Sequence, residues 1–141
     1  MFKKKKTQEI PETISGFGYD ILRNDLIPEL LGEDEGMILY YSGKYLARKH
    51  AVDAAQDLPA FFSKCGWGEL TLIKEKPKQI NYELTTLFPI SERSFSLETG
   101  FLAQLAELDK NAVSEGSFIV KKKEPYLVEI QVISDLKDQI E

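Results

Sequence analysis

Apolar positions in the first part of the chain recur at helical spacing. In "FGYDILRNDLIPELLG", Phe17, Ile21, Leu22 and Leu26, with Leu30 and Leu31 beyond Pro28, predict a first helix to about Asp25 that is bent or restarted at the proline and closed by Gly32. The next stretch, "EDEGMILYYSGKYLARKH", opens with acids and ends on Arg48, Lys49 and His50, the charge order that complements a helix dipole. Its apolar residues fall on two lines. Ile38, Tyr41 and Tyr45 form one, while Leu39, Gly43, Leu46 and Ala47 form another, whose small members let a neighbouring helix come close. A helix covered on two sides is central in the fold or sits at a subunit interface.

"DLPAFFSKCG" reads as a short third helix, with Asp57 able to accept from the orphan N–H groups, Pro59 in the first turn and Gly66 at its left-handed end. From Trp67 the period becomes two: Leu70 and Leu72 point one way, Glu69 and Thr71 the other. "KPK" at 76–78 then leads into "INYELTTLF", completing an antiparallel hairpin. Helical spacing returns in "SFSLETGFLAQLAEL" with Leu97, Phe101, Leu105 and Leu108 on one stripe and Ser94 or Ser96 able to cap its start. A second hairpin follows around "KKKEP" in "GSFIVKKKEPYLVEIQVI". The order ααα-ββ-α-ββ predicts an α+β domain in which helices pack on one face of a four-stranded, mainly antiparallel sheet. Residues 15–133 form that single domain, between a flexible basic tail over 1–14 and a charged tail over 134–141.

Composition narrows the function. The 141 residues carry a net charge of −5, which argues against a broad nucleic-acid surface; the basic runs Lys3–Lys6 and Lys121–Lys123 are a solvated tail and a charged turn. No segment has the apolar length that crosses a bilayer, so integral membrane association is not expected. A lone cysteine and a polar "TQEIPETIS" where a signal peptide would need an apolar core point to the cytosol.

Candidate chemistry is sparse. Cys65 and His50 are the only soft metal ligands, too few for a structural zinc site, and no metal or cofactor is expected. A Cys65–His50 nucleophile pair is arithmetically possible, but His50 at a helix end is more simply a polar cap. The carboxyl end of a helix raises a thiol's pKa, which marks Cys65 as inert. Trp67, between two glycines, reads as a packing anchor at the joint where helix gives way to sheet. Phosphate-binding, dinucleotide and nucleophile-elbow motifs are all missing. Two open possibilities remain. Tyr41, Tyr45, Phe62, Cys65 and Phe101 could line an apolar ligand pocket or simply be core. Leu39, Gly43, Leu46 and Ala47 could form a dimer interface or an intramolecular contact.

The element order, with "KCGWGELTL" and "FSLETGFLAQLAEL" ahead of "VSEGSFIVKKKEPYLVEIQV", resembles the superfamily of 4-vinyl-reductase-type domains and TRAPP vesicle-tethering subunits. Within it the chain is similar to the small YslB-like bacterial family, which has no assigned activity. The resemblance implies a TRAPP-subunit-like fold that dimerises through helices and, in some branches, accepts a small apolar molecule. Many 4-vinyl-reductase-type domains carry two cysteines in the last hairpin; with their glutamate placed on Glu115, this chain has Phe118 and Leu127 there, so thiol or metal chemistry does not carry over. The acyl-bearing cysteine of some TRAPP subunits lies ahead of the third helix, whereas Cys65 lies at the end of one. The expected function is a non-enzymatic cytosolic homodimeric interaction module. The alternative is a sensor or carrier of a small apolar molecule bound between helices and sheet.

Overall fold

The computed structural model describes residues 16–86 and 93–140, except the side chains of 138 and 139. Five helices and four strands follow in the expected order: α1 (Gly16–Asp20), α2 (Ile27–Leu31), α3 (Glu35–Gln56), α4 (Leu58–Lys64), β1 (Glu69–Lys76), β2 (Gln79–Thr85), α5 (Ser96–Lys110), β3 (Ala112–Lys123) and β4 (Tyr126–Gln139). The basic tail expected over 1–14 lies outside the described residues.

The first helix does not end near Asp25. A π-helical turn over Ile21–Leu26 joins α1 to α2, with the Ile27 N–H bonded to the Leu22 carbonyl, and Pro28 falls at the start of α2, where a missing N–H costs nothing. A 3₁₀ turn over Gly32–Asp34 leads into α3. That helix continues past His50 to Gln56, with a kink where His50 departs from helical dihedrals. Asp57 caps α4 by accepting from the Ala60 N–H at 3.1 Å, and Gly66 takes the positive φ that the joint requires.

All neighbouring strands are antiparallel, in the order β1-β2-β4-β3. β4 runs on to Gln139, so residues 134–139 belong to the sheet and not to a tail. Backbone pairing of Ala112 with Gln139 and the Ile140 N–H bond to the Asn111 carbonyl hold that end, and the Ser114 and Ser134 hydroxyls meet at 2.7 Å. Side-chain polarity does not oppose this, because the ladder is made by backbone groups. One face of the sheet presents Leu84, Val128, Ile130 and Val132 to the helices; the other carries Asn81, Glu83, Glu129 and Gln131 together with exposed Ile119 and Ile133.

Helix α5 is the centre of the molecule, packed on β3 and β4 below and α3 above. Its contact with α3 is made through glycine. A Cβ on Gly43 would fall on the Leu97 carbonyl oxygen and 2.8 Å from the Phe101 nitrogen, and one on Gly100 would fall on the Tyr40 carbonyl. The two backbones therefore approach at a distance no larger residue permits. Beside this contact an aromatic cluster of Phe61, Phe62, Trp67 and Phe101 closes the core, with ring centroids 4.9–6.2 Å apart.

Candidate functional site

The two apolar lines of α3 have different fates. Leu39, Gly43 and Ala47 are buried, Leu46 is half-buried, and this line packs in the core of the same chain, with Gly43 and α5 in direct contact. It is thus occupied and not open to a second copy, which corrects the expected dimer interface. The physical reason is that the two glycine contacts select this side of α3 for α5. The other line is left bare: Ile38 is 36% exposed, Tyr41 62% and Tyr45 55%, with Val52 continuing it beyond the kink. Tyr41 is not loose. Its ring meets Tyr40 edge-on at 5.6 Å, and Tyr40 is fixed in turn by accepting the Gly116 N–H at 3.0 Å.

The five residues expected to line an apolar pocket do not converge. Phe62 and Phe101 are fully buried and packed ring to ring, Cys65 is half-buried beside them, and Tyr41 and Tyr45 face outward. Phe62 and Phe101 pack instead with Phe61 and Trp67 into one ring cluster. Tyr41 instead borders two open clefts of about 450 Å³ each, on either side of an ion pair between Lys44 Nζ and Glu107 Oε2 at 3.3 Å. Arg48 donates to Gln104 Oε1 at 3.2 Å in the first of them.

A buried ion pair went unread in the sequence. The first helix turns its apolar residues outward, Phe17 being 71% and Leu30 69% exposed, and buries Arg23. The guanidinium donates to Glu98 Oε1 at 2.9 Å, to the Tyr19 hydroxyl at 2.8 Å and to the Ser94 carbonyl at 3.0 Å. Burial works against the charge of Arg23, yet Glu98, Tyr19 and their hydrogen bonds hold its pKa above the ordinary arginine value. Burial also lowers the pKa of neighbouring Arg93, with the Arg23 charge adding to the effect. Glu98 Oε2 is buried and finds no partner among the described residues. An arginine within the π turn and a glutamate on a helix otherwise rich in small residues were the only signals; nothing local links them.

Cys65 closes α4 as expected. Burial pushes its thiol up to about 11, with Glu98 adding to the effect and Lys64 opposing it, so it is protonated at neutral pH. His50 lies against Phe61, with centroids 5.9 Å apart, and does not reach Cys65 by any hydrogen bond. Among the described residues no group of His, Cys, Asp or Glu is arranged to hold a metal ion, and no helix is long and apolar enough to cross a membrane.

Residues 16–133, almost all of the helices and sheet, match the family described as protein of unknown function DUF2507. The chain belongs to the DUF2507 family. The uncharacterized protein YslB of Bacillus subtilis strain 168 is 32% identical over 133 residues, covering 90% of this chain and 89% of that one. The crystal structure of a vinyl-4-reductase family protein from Methanocaldococcus jannaschii has the same fold, with a TM-score of 0.55 over 92% of this chain and 85% of that chain. At 17% identity the likeness is one of architecture. DUF2507 here thus means an α+β domain of vinyl-4-reductase-like fold whose helical layer leaves one line of α3 uncovered.

Proposed function

We propose that this DUF2507 domain is a non-enzymatic cytosolic interaction module that works as a homodimer, built on the outward line of α3. The observation that carries the reading is that Ile38, Tyr41 and Tyr45 remain exposed on a helix whose opposite side is fully engaged by α5. Exposed tyrosines, one of them, Tyr41, braced by a neighbouring ring, supply large contact area at low entropic cost, the usual character of a protein-binding hot spot. Nothing in the buried Arg23–Glu98 pair or at the protonated Cys65 supplies a nucleophile or a general base. The alternative, a carrier of a small apolar molecule, loses support because Phe62, Phe101 and Trp67 take up the space it needs.

Light scattering on the purified chain at tens of micromolar should return the mass of two chains. Replacing Tyr41 and Tyr45 together by Lys should return one folded chain, because both side chains lie outside the core, with a melting temperature lower only by what dimerisation contributes. A wild-type protein that stays monomeric, or a double variant that stays dimeric, refutes the reading.

A further inference from the structure

The outward line of α3 carries its own complement. Asp34, Ile38, Tyr41, Tyr45 and Arg48 follow one another at alternating steps of four and three residues, the spacing of a seam between two helices. The seam is acidic at its start, aromatic in its middle and basic at its end. Laid against itself in reverse about Tyr41, it sets Asp34 against Arg48 and Tyr41 against Tyr41, and brings Ile38 within one residue of Tyr45. In the same direction it would set Asp34 against Asp34 and Arg48 against Arg48. The side chains at both ends have capacity left for such a contact. Asp34 occupies the N-cap of α3 yet makes no capping hydrogen bond, and Arg48 uses one donor on Gln104 while remaining exposed. A flanking pair repeats the pattern, since Glu33 in reverse falls opposite Lys49. The kink at His50 ends the straight part of the seam just after Arg48, so the self-complementary segment and the straight segment coincide.

From this we infer that the occupant of the face is a second copy of this chain, docked with its α3 antiparallel across a two-fold axis at Tyr41 and with Asp34 of each copy paired to Arg48 of the other. The inference rests on the homodimer reading and adds direction and register to it. A two-fold contact of this kind is isologous and closes at two subunits. Charge pairing at both ends of an aromatic centre rejects the parallel arrangement, because like charges would then face each other.

The test uses the full chain with Cys65→Ala, so that an introduced cysteine is the only thiol. Tyr41→Cys places two thiols at the axis, and an added copper–phenanthroline oxidant, which takes up the two electrons, should link them with loss of two protons into a disulfide dimer. Lys49→Cys thiols would lie about 24 Å apart along the helices and should link at least about tenfold more slowly. In parallel, Arg48→Glu should weaken the dimer by about tenfold, and adding Asp34→Lys should recover most of that loss, as expected for a direct pair in a double-mutant cycle. Melting temperatures confirm that each variant is folded. If the wild-type chain is dimeric but Lys49→Cys links as fast as Tyr41→Cys, or the charge-reversed double variant dimerises no better than Arg48→Glu alone, the antiparallel register is overturned while the homodimer reading stands. If the wild-type chain is monomeric, both fall.

Discussion

Alanine at Gly43 tests the core of this fold most directly. The new Cβ meets backbone, not a side chain that could swing aside: the Leu97 carbonyl oxygen and, at 2.8 Å, the Phe101 nitrogen. Relief requires α3 and α5 to move apart, which also loosens the Phe101 ring stack. Overpacking of this kind costs about 3 kcal/mol, and the better helix propensity of Ala returns about 1, for a net loss of about 2 kcal/mol. For a domain of this size that is a fall of about 6 °C in melting temperature. Gly36 is the internal control. It lies in the same helix, and its added Cβ would meet only Ser96 Oγ at 3.6 Å, an ordinary contact. Gly36→Ala should be neutral or stabilising by about 0.5 kcal/mol. Urea unfolding followed by Trp67 fluorescence reads both, since that indole is buried against Phe62 and Phe101. Because the Gly43 contact is made within one chain, its loss should be the same at low and high protein concentration. A Gly43→Ala protein as stable as the Gly36→Ala protein, or a loss that fades as concentration rises, would refute the close α3–α5 contact.

Arg23→Leu removes the cation bonded to the fully buried Glu98 and should cost about 3–5 kcal/mol in the same urea assay, whereas Arg23→Leu combined with Glu98→Leu should recover most of it. Equal losses in both variants would show that the ion pair is not what holds the first helix. With its thiol pushed up to about 11, Cys65 should react with iodoacetamide at pH 8 roughly a hundredfold more slowly than a free cysteine, and the rate should climb as pH rises toward 11. A rate at pH 8 equal to that of the free thiol would place Cys65 outside the buried environment described here.

Where local chemistry decides, the sequence was legible. The Asp57 cap, the Pro59 and Gly66 positions, both hairpins and the step from Cys65 through Trp67 into β1 can be read from neighbours a few residues apart. Where a distant partner decides, it was not. The first helix carries a plain apolar stripe, yet it turns Arg23 inward because a carboxylate 75 residues away needs it. The two lines of α3 are equally apolar on paper; the selection between them is made by Gly100 on another helix. The line expected to form an interface is therefore the one that α5 covers within the chain. The end of β4 was hidden for another reason, since ladder hydrogen bonds are blind to the charges in "SDLKDQ".

The position of β4 inside the sheet also governs the order of events during synthesis. β2 is complete at Thr85, but its free edge is matched only by the strand that begins at Tyr126. About forty residues must be translated in between, which takes several seconds at about 5–20 residues per second. Through that interval the first hairpin leaves the ribosome with an unpaired edge, and α5 lacks β3 and β4, the strands it packs on. A chain stalled before Tyr126 would present that edge to any neighbouring nascent strand, which makes the β2 edge the point at which a chaperone would have most to protect.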